Sequence, residues 1–135
     1  MIFPVMLLCI YLNLSCAKTF DSKFQTQSDF SSSTNVQLFM AMVNANRNYV
    51  YVDGKQVTGA LMVSGSVFPS TGYGFNVDGG LRAFLVKDTL PTSTQAPLTF
   101  AENMQAGKSY SVFVYDTITS PKQKTVITDI IVPSD

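Results

Sequence analysis

After residue 34 the chain consists of short runs rich in β-branched and aromatic residues, and each run ends at turn-forming residues. Two of these turns contain Asp-Gly, at Asp53 and at Asp78, which is the strongest short-range signal for a β-hairpin. The connections are too short for crossover helices, so neighbouring strands must be mainly antiparallel. The pattern therefore predicts an all-β fold, a sandwich or a barrel of seven to eight strands.

Turn residues set the limits of the predicted strands. Strands are expected at 36–44, 48–52, 55–62, 72–77, 81–87, 98–104, 109–116 and 125–132. Hairpins are expected at 53–54 and 78–80, and the last turn at 120–122. The first run is mostly continuous in apolar residues, which is typical of a buried central strand.

Residues 1–15 are almost wholly apolar and carry no charge, and the run stops at Cys16-Ala17-Lys18. This run is about the length of an export signal and shorter than the roughly 20 residues that span a bilayer. In one processing route, Leu14-Ser15-Cys16 acts as a lipobox and Cys16 is diacylated. In the other, an ordinary cut before Lys18 releases a secreted or periplasmic protein. We predict the first route: residues 1–16 are a lipoprotein signal, and Cys16 anchors the chain at the outer membrane or cell surface.

Residues 17–34 are polar and rich in serine and threonine, which predicts a flexible tether. In the alternative, Phe20, Phe24 and Phe30 pack onto the domain as a first irregular strand. The remainder, residues 35–135, is expected to form one β-domain. The only cysteines are Cys9 and Cys16, so this domain has no disulfide, thiol nucleophile or thiolate metal site.

Composition argues against several classes of function. The 9 basic and 9 acidic residues balance, and no segment collects cations into a patch, so nucleic-acid binding is not expected. Histidine is absent, which removes the commonest general base and the usual zinc or copper ligand. Asp53 and Asp78 are interpreted as turn residues, since the spacing of a calcium loop is missing. We therefore predict no enzyme activity, no metal and no cofactor.

Aromatic residues are the remaining candidates for ligand contact. Tyr49 and Tyr51 share one face of their predicted strand, and Tyr73 and Phe75 share a face of theirs. Most such pairs belong to the core, but an outward-facing pair would stack on a sugar ring or anchor a protein partner. Tyr110 is expected to tie a strand to a corner of the sandwich.

The order of these segments resembles the DUF4397 family, exported bacterial β-domains that are frequent among lipoproteins. The matching segments are 35–36 (NV), 50–55 (VYVDGK), 78–83 (DGGLRA), 98–100 (LTF) and 106–113 (AGKSYSVF). The resemblance implies an immunoglobulin-like β-sandwich at the cell envelope. It implies no activity, because the family has no established one.

Together these observations predict a non-catalytic lipoprotein, a monomer that acts as a binding or structural module at the cell surface. Its contacts are expected in the loops 64–71 and 88–97, because binding residues concentrate in loops on a rigid scaffold. One alternative is an adhesin or matrix subunit that assembles through edge strands. Another is a glycan-binding accessory protein.

Overall fold

The computed structural model describes residues 31–72 and 74–128, and within them it contains nine β-strands and no helix. The strands are β1 (Ser33–Val43), β2 (Asn48–Val52), β3 (Lys55–Gln56), β4 (Val67–Phe68), β5 (Phe75–Asp78), β6 (Gly80–Asp88), β7 (Leu98–Met104), β8 (Ser109–Thr117) and β9 (Ser120–Ile127). The all-β prediction is therefore confirmed for the described residues.

The strands form two sheets that pack face to face. Sheet A has the order β4-β1-β8-β9, and β5 pairs with β1 on the same side as β4. Sheet B has the order β3-β2-β6-β7. All pairs are antiparallel except β1 and β8, which run parallel over their full pairing.

The core lies between the sheets because inward-facing residues alternate with outward-facing ones. On β1 the even-numbered residues from Thr34 to Met42 are buried, and the odd-numbered ones are half-buried or exposed. Phe84 of sheet B is fully buried and stacks on Phe100, with ring centroids 5.0 Å apart. Burial of a Val, Leu, Met or Phe side chain contributes about 1.5–3 kcal/mol relative to leaving it in water.

The hairpin at Asp53-Gly54 is confirmed: Val52 pairs with Lys55 across a two-residue turn. Asp53 and Gly54 both have positive φ, 49° and 77°, as a tight hairpin turn of this kind requires. The returning strand is shorter than the predicted 55–62. Beyond Gln56, the Val50 N–H donates to the Thr58 hydroxyl at 3.1 Å instead of to a strand carbonyl.

The second predicted hairpin is wrong. β5 pairs with β1 in sheet A, whereas β6 pairs with β2 and β7 in sheet B, so residues 78–80 cross between the sheets. The last turn is also displaced: Thr117 pairs with Ser120, and residues 120–122 already belong to β9. The glycines of 78–80 and the proline of 120–122 favour a local bend. A local bend does not determine which strand the next segment pairs with.

The strand order does not confirm the immunoglobulin-like connectivity. In the constant-type immunoglobulin order, the first two strands are neighbours in one sheet. Here β1 and β2 lie in different sheets, and β1 pairs with β8. The coarser prediction of a mostly antiparallel two-sheet sandwich stands.

The two ends of the sandwich differ. At the near end, where the described chain begins, the Gly107 N–H donates to the Ser33 carbonyl and the Gly79 N–H to the Ser32 carbonyl. The far end is formed by the connections 44–47, 89–97 and 118–119. The Ala96 N–H donates to the Ile118 carbonyl, and the Thr89 N–H donates to the Arg47 carbonyl. The predicted loop 88–97 therefore lies at the opposite end from the start of β1.

Candidate functional site

Asp88 ends β6 at the far end and organises the loop that follows it. Its Oδ1 accepts from Arg47 Nε at 3.3 Å and from the Leu90 N–H at 2.8 Å. Its Oδ2 accepts from Arg47 Nη2 at 3.4 Å and from the Ser93 hydroxyl at 2.8 Å. The Arg47 guanidinium first, then the Leu90 N–H and the Ser93 hydroxyl, lower the pKa of Asp88 to about 2. The carboxylate therefore fixes the first turn of the loop to the preceding β1–β2 connection.

A buried pair of amides lies beneath the same loop. Asn48 is fully buried, and its Oδ1 accepts a hydrogen bond from Gln95 Nε2. The Gln95 N–H donates to the Ser93 hydroxyl at 3.1 Å, which connects the amide pair to Asp88. Asn48 Nδ2 has no hydrogen-bond partner among the described residues. The loop 89–97 is thus fixed at two places, by Asp88 at its first turn and by the buried Asn48 at Gln95.

These contacts leave a shallow cleft of about 180 Å³ at the far end. It is lined by Lys87, Asp88, Leu90, Pro91, Ser93, Gln95 and Pro97. Pockets that enclose a drug-sized molecule usually measure about 300–1,000 Å³. The cleft is therefore suited to surface contact with a protruding group of a larger partner rather than to enclosing a small molecule.

Tyr49 and Tyr51 lie on the outer face of sheet B, next to this cleft. Asn48, Val50 and Val52 take the inward positions of β2, so the two tyrosines are half-buried and face outward. The Lys87 ammonium lies 5.1 Å from the centroid of the Tyr51 ring. This cation covers one ring face, and the contact links the tyrosine pair to a residue that also lines the cleft.

The other predicted site residues are not brought to this surface. Phe75 packs against the core beside Phe68, with ring centroids 5.5 Å apart. Tyr73 and Cys16 lie outside the described residues.

The predicted loop 64–71 is divided by β4. The Ser64 hydroxyl donates to the Met42 carbonyl at 2.7 Å and accepts from the Ala45 N–H at 2.9 Å, so this part belongs to the far end. Residues 69–71 follow β4 along the edge of sheet A. Only the beginning of the first predicted loop therefore lies at the same end of the sandwich as the second.

The aspartates of the two Asp-Gly segments line a second cleft, of about 410 Å³, towards the near end. Arg82 joins the two Asp-Gly segments: its Nη1 donates to Asp53 Oδ2 at 2.9 Å, and its Nε donates to the Asp78 carbonyl at 2.9 Å. The Ala83 N–H and then the Arg82 guanidinium lower the pKa of Asp53. No group of three or more potential metal ligands is found in the described part of the chain.

Sequence reasoning missed an outward-facing, half-buried aromatic pair on sheet A. Phe39 of β1 and Phe113 of β8 are register partners on the outer face, stacked with centroids 4.7 Å apart and an interplanar angle of 17°. The odd-numbered positions of β1 could have indicated that Phe39 faces outward, because polar Asn35 and Gln37 occupy the same face. The mostly continuous apolar run concealed this alternation.

Comparisons with models of known protein families and with curated proteins give no match. Across residues 31–72 and 74–128, no helix has the length and apolar character needed to cross a membrane.

Proposed function

We propose that this protein is a non-catalytic lipoprotein of the cell envelope, a binding or structural module held at the membrane by a lipid on Cys16. The supporting observation is the position of the ordered far-end loop relative to the start of β1. β1 has 11 residues, and an 11-residue strand is about 35 Å long. A tether that precedes β1 would therefore carry the loop 89–97 on the side away from the membrane.

The rigidity of that loop supports a role in recognition. Asp88, Ser93, Gln95 and Asn48 form one connected set of hydrogen bonds, so the loop does not have to be ordered when a partner binds. An immunoglobulin-like module related to the DUF4397 family remains part of the proposal, carried by the sequence segments described above. The ligand would be a protein or a glycan.

A glycan-binding role is favoured by one observation: Tyr49 and Tyr51 face outward beside the cleft. Because Lys87 lies over the Tyr51 ring, a sugar that stacks on that face must displace the ammonium group. Assembly through edge strands has less support. The edge strand β9 carries Pro121, Lys122 and Lys124, and proline and lysine on an edge oppose pairing with another chain.

The test is metabolic labelling with a clickable fatty acid, combined with protease treatment of intact cells. Wild type is compared with Cys16→Ala and with Cys9→Ala, a matched control in the leader. We expect label on wild type and Cys9→Ala, loss of label from Cys16→Ala, and protease sensitivity of labelled wild type. Absence of label from wild type, or label retained by Cys16→Ala, would overturn lipid anchoring at this residue.

A further inference from the structure

One patch on the outer face of sheet B combines aromatic, apolar and polar side chains. We call it the tyrosine face; it consists of Tyr49, Tyr51, Gln56, Leu85, Lys87 and Thr99. Register places Lys87 beside Tyr49, and the next row holds one residue from each of the four strands, with Tyr51 and Leu85 in the middle. The tyrosines are half-buried and Lys87 is exposed. With strands about 4.8 Å apart, this row is about 14 Å wide, so the face is broad and open.

The charge on the tyrosine face is not balanced. Within residues 31–72 and 74–128, Lys87 forms no ion pair, and the outward positions of β2, β6 and β7 carry no carboxylate. Asp88 follows Lys87 and Asp53 follows β2, and each of these carboxylates pairs with an arginine. The other cation of this sheet region, Lys55, lines the near-end cleft instead. The face therefore presents one ammonium group with which a negatively charged ligand can pair.

The position of the Lys87 ammonium favours an acidic sugar over a neutral one. The ammonium lies 5.1 Å from the centroid of the Tyr51 ring, so it covers a ring face on which a sugar would stack. A neutral sugar that displaces the ammonium breaks this cation–π contact and offers no charge in return. A sugar that carries a carboxylate forms an ion pair with the displaced ammonium at the border of the stacked rings. Lys87 therefore disfavours neutral rings and favours carboxylated ones.

The backbone of the same strands argues against an acidic peptide as the ligand. An extended peptide often binds a sheet by adding a strand at a free edge. β6 lies between β2 and β7, and β2 is bonded to β6 on one side. On its other side β2 is bonded to β3 and to Met62, whose N–H donates to the Asn48 carbonyl at 2.8 Å. The tyrosine face therefore offers side-chain rings and an ammonium group but no free strand edge, which suits a sugar chain.

We propose that the tyrosine face binds an acidic glycan, a sugar chain that contains uronic acids, with rings stacked on Tyr49 and Tyr51 and a carboxylate paired with Lys87. The inference rests on the glycan-binding role in the proposed function and does not depend on lipid anchoring. Because the face is open, a short oligosaccharide should bind with a dissociation constant of about 0.1–1 mM. A long polymer with repeated uronic acids would engage several copies on one surface and bind more tightly.

Ligand-observed nuclear magnetic resonance on the full chain, as isolated from its host, tests the proposal. The probes are trimers of galacturonic, mannuronic and glucuronic acid, each compared with its methyl ester, which keeps the sugar rings and removes the charge. We expect at least one acid to bind, and its ester to bind about fivefold more weakly. This preference should disappear between about 0.05 M and 0.5 M salt, because the ion pair is exposed. Lys87→Gln should weaken binding of the acid to the affinity of the ester without weakening the ester.

Two further variants separate the charge from the rings. Lys124→Gln is the matched control, because Lys124 is an exposed lysine beside Phe113 on the outer face of sheet A, and it should leave binding of the acid unchanged. Tyr51→Ala should weaken the acid and the ester alike by about fivefold, because both lose the stacking surface. Circular dichroism checks that each variant is folded.

The proposal is overturned if no trimer binds, if acid and ester bind equally, or if Lys87→Gln and Lys124→Gln have equal effects. An oligo-aspartate peptide that binds as well as the acid, and loses binding in Lys87→Gln, also overturns it and identifies an acidic protein as the partner. Equal binding of acid and ester leaves a glycan-binding module without the acidic preference. Lipid anchoring is measured separately by the label on Cys16, so its failure is distinguishable from failure of glycan binding.

Discussion

Replacement of Asp88 by asparagine should destabilise the domain in a pH-dependent way. Asparagine keeps the shape of the side chain but loses the charge, and its Nδ2 cannot accept from Arg47 or from the Ser93 hydroxyl. The wild-type carboxyl has a pKa of about 2 in the folded protein, against an ordinary value of 3.8. Since the Arg47 side chain is 45% exposed and screened by solvent, we take about 1–2 kcal/mol for the loss near pH 7.

The sign of the pH dependence follows from the lowered pKa. The stabilisation is fully present above the unfolded-state pKa and is lost as the pH falls through the folded-state pKa of about 2. Wild type and Asp88→Asn should therefore differ near neutral pH and converge as the pH falls towards about 2. At neutral pH the expected difference corresponds to a lower Tm by roughly 5–15 °C for a domain of this size.

Urea unfolding at several pH values, followed by far-ultraviolet circular dichroism, measures the free energy of unfolding and its pH dependence. Asp116→Asn is the matched control, because Asp116 pairs with Lys122 at 2.7 Å in a solvent-exposed position and should contribute less. A destabilisation below about 0.5 kcal/mol for Asp88→Asn at neutral pH would refute the reasoning, as would a difference that does not change with pH.

Two further substitutions test the packing. Gly74→Ala should destabilise strongly, because φ is +145° and the new Cβ would clash with Asn35 Oδ1 and lie 2.7 Å from the Val36 carbonyl oxygen of the backbone; Gly59→Ala has nothing within 4 Å and should change the unfolding midpoint little. Tyr110→Phe removes the hydroxyl that accepts from the Gln105 N–H at 2.9 Å, and should cost about 1 kcal/mol in the free energy of unfolding. Equal midpoints for the two glycine variants, or a stability of Tyr110→Phe equal to wild type, would contradict these assignments.

Features with a local cause could be predicted from the sequence. The hairpin at Asp53-Gly54 needs positive φ at two successive residues, and this residue pair supplies it. The strand at Leu98–Met104 was expected with the limits that the structure has. Tyr110 is buried and ties the start of β8 to the preceding connection, as the sequence indicated.

Features that depend on distant partners could not be predicted in this way. Residues 78–80 have the same turn chemistry as Asp53-Gly54, yet Val77 is buried against β1 and the chain then crosses to sheet B. The parallel pairing of β1 with β8 joins residues more than 70 positions apart, such as Asn35 and Ser109, and no local pattern specifies it.

The same distinction applies to the candidate site. The loop 88–97 was expected from its proline, serine and threonine content, and Leu90 and Ser93 are local partners of Asp88. Arg47 is 41 residues away, so the charge that lowers the Asp88 pKa could not be inferred. The outward-facing Phe39–Phe113 pair on sheet A was missed because the mostly continuous apolar run of β1 concealed the alternation that Asn35 and Gln37 show.

The central claim is that a lipid on Cys16 holds this module at the membrane. The most direct measurement is the intact mass of the protein isolated from its host's envelope, with sequencing of its N-terminal peptide by mass spectrometry. We expect a mature chain that begins at Cys16 and carries the added mass of acyl chains. A mature chain that begins at Lys18 without acyl mass would contradict it and would identify a secreted or periplasmic domain.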